Sequence, residues 1–172
     1  MKKLYFVRHG QSQANVDETF AGQSDTPLTS LGREQAKTAG KAARELHIDR
    51  IVSSPLSRAF DTAVIIAQTI GYPVSNIDIN DLFKERNYGS LQGKAWGSQG
   101  EEDINGIAGV EPIESLLQRG RQAYQYLHDL PDDTVLVVAH GTFWRALRAA
   151  MHPDIPFIAG TEPRNAVVEE LA

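Results

Sequence analysis

Two histidine–glycine pairs, His9-Gly10 and His140-Gly141, each close an apolar run, the second directly and the first after Arg8. The runs are Leu4-Tyr-Phe-Val7 and Thr134-Val-Leu-Val-Val-Ala139, rich in β-branched or aromatic residues. Each reads as a buried strand that aims a histidine out of its carboxyl end. A cation beside an imidazole, followed by a glycine that lets backbone amides approach closely, suits an anion such as phosphate better than a metal. Taken alone, Arg8-His9 reads more simply as a solvated turn, and a lone histidine is more often structural than catalytic. Two such pairs at adjacent strand ends are harder to assign to structure alone.

Whether they meet depends on the elements that carry them. Ile51 and Val52 form a second short strand ending in Ser53-Ser54-Pro55, after which a helix places Ala59, Thr62, Ala63, Ile66, Ala67 and Ile70 inward until Gly71. Arg58 lies one turn into that helix and can point back at the histidines, although an exposed arginine is the commoner fate there. An earlier helix, capped by Thr29 or Ser30 and ending near His47, shows the face Leu31, Gln35, Thr38, Ala39, Ala42, Ala43 and Leu46. Gln13 to Pro27 is expected to be loop, and Asp78 to Leu82 is weakly strand-like. Trp96 to Gly109, polar and glycine-containing, is expected to be an irregular segment or loose short helix over the site. Ile113, Leu116, Leu117, Gly120, Ala123, Tyr124 and Leu127 stripe the next helix, and Thr134 to Ala139, apolar on both faces, belongs at the sheet's centre. Phe143, Trp144, Leu147 and Met151 begin the helix behind His140, and Asn165 to Leu171 adds an antiparallel edge strand. Strand and helix in alternation give an α/β fold with a largely parallel sheet, whose ligands sit beyond the strands' carboxyl ends.

Composition sets limits on the chemistry. The 172 residues are 41% hydrophobic and 23% charged, as in globular proteins. A net charge of -5 argues against a nucleic-acid binder working through a broad basic face, so phosphate chemistry must use a local cluster of cations. The absence of cysteine excludes disulfides, zinc-thiolate sites and thiol nucleophiles. The N-terminal apolar run is too short for a signal-peptide core or a membrane span, so a cytoplasmic protein with no membrane partner is expected. No repeat or linker divides the chain, which is read as one domain over residues 1–172 with a lid-like insertion at about 90–112.

Five blocks of residues resemble the histidine phosphatase superfamily, also called the phosphoglycerate mutase-like family. They are Arg8-His9-Gly10-Gln11-Ser12 with Asn15; Gly22-Gln23-Ser24-Asp25-Thr26-Pro27-Leu28-Thr29 with Gly32 and Gln35-Ala36; Ser53-Ser54-Pro55-Leu56-Ser57-Arg58-Ala59 with Thr62-Ala63; Glu85-Arg86-Asn87-Tyr88-Gly89 with Gly93; and Val138-Ala139-His140-Gly141. The resemblance implies a three-layer sandwich, a mostly parallel central sheet flanked by helices. It implies phosphoryl transfer with no metal and no cofactor, in which His9 becomes a phosphohistidine. By the same carry-over Arg8, Arg58 and His140 hold the phosphoryl oxygens, Asn15 assists, Glu85 protonates the leaving group, and Gly22, Gln23 and Gly141 complete the substrate-binding set. These roles are physically coherent. Two guanidiniums supply the donors that neutralise equatorial oxygens, and nearby arginines disfavour the cationic form of a histidine that must attack neutral. A hydrogen bond from its other ring nitrogen, to a carbonyl such as Gly10's, would fix the tautomer. Glu85 needs a raised pKa to donate, so Arg86 is expected to turn outward.

Three rival readings accompany this one. Two histidines and a glutamate can form a metal triad, although Arg8 and Arg58 would repel a divalent cation; activity after chelation, with vanadate inhibition, separates the two. A non-catalytic binder of a phosphorylated ligand would release no phosphate from an aryl phosphate. Within the family, the resemblance implies that mutases are longer and carry extra basic residues after the acid. Ala95 to Gln118 here contains no lysine or arginine and holds Glu101, Glu102, Asp103, Glu111 and Glu114. A phosphatase of a small phosphorylated metabolite is therefore the expectation, with mutase-type transfer the alternative and a homodimer the partner arrangement entertained. Trp96 and Tyr88 could line a leaving-group pocket, or one of them could be plain packing. Glu111 lies where the phosphatase branch often has Gly-Glu-Ser, but Pro112 departs from that pattern and no role is carried over.

Overall fold

The alternation of strand face is what builds the two cores. In the computed structural model, which describes residues 2–100, 103–157 and 162–171, strand β1 (Lys3–Arg8) turns Leu4 and Phe6 to one side and Tyr5 and Val7 to the other. Strand β4 (Thr134–Ala139) does the same with Val135, Val137 and Ala139 against Leu136 and Val138. Nearly every one of these side chains is fully buried, so both faces of the sheet must be covered. Helices α4 (Ile113–Asp129) and α5 (Gly141–Met151) cover the first face; α2 (Ser30–Ala43) and α3 (Ser57–Ile70) cover the second.

With β2 (Arg50–Ser53), β3 (Asp78–Ile79) and β5 (Val168–Glu170), the sheet has five strands in the order β3-β2-β4-β1-β5. All neighbours are parallel except β5, which runs antiparallel to β1. The expected α/β three-layer sandwich is thus observed, with β4 at the centre and β5 as the antiparallel edge. Because β1 and β4 pair in register, Arg8 opposite Ala139, their carboxyl ends deliver His9 and His140 side by side.

Three local expectations need correction. Gln13–Val16 is a helical turn, α1, because Ser12 and Asn15 cap each other reciprocally. On α2 the inward face is Gly32, Ala36, Ala39, Gly40 and Ala43, and Leu31 is 53% exposed. The reason is the close approach of backbone: a Cβ on Gly32 would meet the Gln11 carbonyl oxygen at 2.1 Å, and one on Gly10 would meet the Gly32 oxygen at 2.3 Å. Small residues therefore face inward, and the helix seats the His9 loop directly. The weak strand after Asp78 spans only two residues before a 3-10 turn over Asp81–Phe83.

The segment after Glu85 is irregular, as expected, with 3-10 turns at Gly89–Leu91 and Ile104–Gly106. Gly89 requires its glycine, since φ is +51° and a Cβ would lie 2.4 Å from the Gly109 carbonyl carbon. Backbone bonds tie the segment to the loop after α1: Phe20 donates to Lys94, Gly93 to Phe20, and Trp96 to Glu18, at 2.8 to 2.9 Å. Of the acids expected there, Glu101 and Glu102 lie outside the described residues. Among the described residues no helix is long and apolar enough to cross a membrane.

Candidate active site

Beyond the carboxyl ends of β1 and β4 lies a cavity of about 190 Å³ whose wall includes Arg8, His9, Asn15, Arg58 and Glu85. Four elements deliver them: β1 the first two, α1 the third, the first turn of α3 the fourth, and the loop after β3 the last.

His9 is 4% exposed and its Nδ1 lies 2.7 Å from the Gly10 carbonyl oxygen. A carbonyl can only accept, so Nδ1 carries the proton and the Nε2 lone pair is left for chemistry. Nε2 in turn receives the Arg58 Nε–H at 3.3 Å. Burial, then the charges of Arg58 and Arg8, hold the imidazole well below its ordinary value of 6.5, against a smaller opposing pull from the Gly10 hydrogen bond. His9 is therefore neutral at neutral pH. The Gly10 amide donates to Thr62 Oγ1 at 3.0 Å, which fixes the loop from below.

Arg58 is 1% exposed and spends its other donors on the carbonyls of Ser24 and Gly22, at 2.9 and 2.7 Å. Burial lowers its pKa to about 10, which leaves it charged at neutral pH. Arg8 points into the same space, its Nη1 donating to the Pro163 carbonyl at 3.1 Å while its buried Nε has no partner. Asn15, on the cavity wall, uses Oδ1 to accept the Ser12 amide at 3.0 Å.

Glu85, 9% exposed, receives three backbone amides: Arg86 and Phe143 on Oε1 at 2.8 and 2.9 Å, and Thr142 on Oε2 at 3.1 Å. Two of these are the orphan donors of the α5 N-terminus, so the sequence step His140-Gly141 both ends β4 and builds the cradle for the acid. Burial pushes the carboxyl above its ordinary 4.5 and outweighs those amide bonds, and the nearby Glu162 adds to the rise. Arg86 turns away from the cavity, but inward to packing rather than outward to water. It is 5% exposed and donates to the Glu111 carbonyl and Asn105 Oδ1, at 2.9 and 2.8 Å.

His140 is fully buried behind His9, ring centroids 5.3 Å apart, with Nε2 2.8 Å from Ser54 Oγ and Nδ1 without a partner. Burial and the charge of Arg58 hold it well below 6.5. It is not on the cavity wall, and neither are Gln23 and Gly141, whereas Gly22 is. Gln23 instead braces the acid's loop, its Nε2 donating to the Glu85 carbonyl at 3.0 Å.

Sequence reasoning missed several neighbours. Glu162 reaches the wall from the stretch before β5 and pairs with Arg8 at 3.2 Å, and nothing in its local pattern announces this. Arg119 pairs bidentately with Glu111 at 3.0 and 2.8 Å and also donates to the Leu82, Lys84 and Glu85 carbonyls. Glu111, given no role from sequence, thus clamps the acid's loop and accepts the Asn87 amide at 3.1 Å. Trp96 and Tyr88 both line the cavity with Phe20, whose ring centroid lies 5.1 Å from that of Tyr88. Among the described residues no three histidine, aspartate or glutamate side chains converge as metal ligands.

Comparison with known proteins agrees with this geometry. The Histidine phosphatase superfamily (branch 1) family profile matches residues 4–171. A protein of Salmonella choleraesuis named "Probable phosphoglycerate mutase GpmB" is 36% identical over 154 residues, which span 82% of this chain and 70% of the relative. A mycobacterial glucosyl-3-phosphoglycerate phosphatase, solved with VO3, superposes with a TM-score of 0.85 at 30% identity, covering 99% of this chain and 90% of that one. Bacillus stearothermophilus YhfR superposes with a TM-score of 0.87 at 26% identity, over 99% and 90% of the two chains.

Proposed function

Because the chain belongs to the histidine phosphatase superfamily, we propose that it is a metal-independent phosphomonoesterase working through phospho-His9. The observation that carries the reading is the cavity wall itself: a neutral imidazole with its Nε2 lone pair turned to a guanidinium, and a buried carboxyl with a raised pKa in the same space. A phosphoryl group entering this space takes over the Nε–H that Arg58 gives to His9. Nε2 attacks phosphorus in line while Arg8 and Arg58 neutralise the equatorial oxygens. Protonated Glu85 gives its proton to the departing alcohol oxygen. Ionised again, it takes a proton from the water that attacks phospho-His9, and inorganic phosphate leaves.

Hydrolysis is favoured over mutase transfer by the charge of the wall. Its only cations among the described residues are Arg8 and Arg58, both committed to the phosphoryl group, and no third cation holds a substrate carboxylate. Phe20, Tyr88 and Trp96 offer an aromatic surface for the alcohol instead. The phosphatase similarity at 30% identity agrees with this, while the mutase-named relative keeps transfer as the second reading.

An aryl phosphate and 3-phosphoglycerate, assayed with chelator present, test the proposal. Wild-type enzyme is expected to release inorganic phosphate from the aryl ester, to be inhibited by vanadate, and to lose at least about 10⁴-fold in kcat/KM in His9→Ala. Isomerisation of 3-phosphoglycerate without net phosphate release would turn the assignment to mutase.

A further inference from the structure

The cavity wall holds a second carboxylate, Glu162, which helps raise the pKa of the acid Glu85 but takes no direct part in the phosphoryl-transfer scheme. Glu162 Oε2 lies 3.2 Å from Arg8 Nη1. Its Oε1 accepts from Arg145 and, at 3.5 Å, from Thr142 Oγ1. The side chain lies against the start of α5, so closely that a Cβ on Gly141 would fall 2.5 Å from Oε2. Three anchors on two oxygens give it a defined position, and the Arg145 side chain is itself only 10% exposed. Glu162 therefore sits on the guanidinium that an incoming phosphoryl group needs. Arg8 shows the other half of the arrangement, with one terminal nitrogen given to Glu162 and Pro163 and a buried Nε left unpaired.

A phosphate dianion bound to Arg8 would share that cation with a second anion a few ångströms away. Like charges at such a distance repel by an amount set by local screening; among the described residues the wall adds no cation beyond Arg8 and Arg58, and Arg145, paired with the other Glu162 oxygen, offsets only part of the repulsion. Resting on the phosphohistidine reading, we propose that Glu162 is a specificity-determining residue. It is a resident carboxylate on Arg8 that phosphoryl groups must displace, which loosens the hold on product phosphate and selects esters whose alcohol carries no negative charge. The arrangement fits a hydrolase that must release inorganic phosphate each turnover. It disfavours retention of a second acidic group.

Titration calorimetry with inorganic phosphate, on wild-type enzyme, Glu162→Gln and Arg8→Ala, reads the effect without turnover. Glu162→Gln is expected to bind phosphate about tenfold more tightly, the size expected when one like charge is removed across a partly screened gap. Product inhibition should rise with it. The kcat/KM for 3-phosphoglycerate should gain on that for an uncharged aryl phosphate. Glu162→Ala, checked for fold by circular dichroism, should move phosphate affinity the same way, and covers the case in which the glutamine variant fails to fold. Wild-type binding that depends on Arg8 yet is unchanged or weakened in both variants overturns this inference alone. Absence of phosphate binding in wild-type enzyme and in both Glu162 variants alike overturns the phosphohistidine reading together with it.

Discussion

The floor of the cavity and its mouth are built on different principles. His9, Arg58, Glu85 and His140 are at most 9% exposed, and each is held by groups from another part of the chain. The mouth, where Trp96 is 51% exposed, is made of 3-10 turns and loop-to-loop backbone bonds. Burial at the floor depresses the imidazole values and raises that of the carboxyl, which are the protonation states the chemistry needs. On the proposed mechanism, reactivity is a product of the packed core, and substrate choice belongs to a surface that could vary without disturbing it.

The sharpest way to break that contrast is Arg58→Lys. Arg58 satisfies two buried carbonyls and the nucleophile's lone pair with one planar fork, and a lysine's compact ammonium cannot reproduce that geometry. A fall of about 10³-fold in kcat/KM is expected, carried by kcat, together with about 2 kcal/mol of stability lost as the Gly22 and Ser24 carbonyls lose their donors. Phosphate release and urea unfolding measure the two. A change in KM alone would mean that the floor behaves like the mouth.

Acid should loosen the floor before the mouth. His9 and His140 bind protons less readily folded than unfolded, so their neutral burial contributes stability that is complete above about 6.5 and lost as pH falls from there toward their folded values. Each can remove up to about 1.4 kcal/mol per pH unit in that window. Glu85, raised above 4.5, acts in the opposite direction, because stability is lost as pH rises through its window. Two groups against one leave a net decline on acidification, read by urea midpoints at pH 7.5 and pH 5. A flat profile would mean that the histidines are not buried neutral.

What could be read from the sequence divides along the same line. Periodicity locates β1, β4, α3 and α4 because each carries a run long enough to show its face, and the adjacency of the two His-Gly pairs follows from two apolar runs in one parallel sheet. Periodicity misplaced the inner face of α2. Backbone contact at Gly10 and Gly32 overrode hydrophobicity there, leaving Leu31 outside. The Ser12–Asn15 capping box was legible in principle, since both partners lie within one turn. Glu162, the Arg119–Glu111 pair and the α5 amides on Glu85 were not. They join residues 8 to 154 positions apart, with no local pattern that marks them.

Trp96→Ala tests the mouth, where the smallest effect is expected. The indole side chain is half exposed, and the segment is tied down through the Trp96 backbone amide to the Glu18 carbonyl at 2.8 Å, a bond that truncation leaves in place. Stability should change by no more than about 0.5 kcal/mol. Removing a face against which a flat leaving group can stack should raise KM for an aryl phosphate about five- to tenfold, within the range of an aromatic contact. Hydrolysis of a small aliphatic phosphate and inhibition by inorganic phosphate should be nearly untouched, because neither reaches past Arg8 and Arg58. The Phe20 and Tyr88 rings remain as a partial surface, which is why the loss is not larger. If kcat fell equally on every substrate, Trp96 would be acting on the chemistry itself, and the division between a fixed floor and a selective mouth would have to be abandoned.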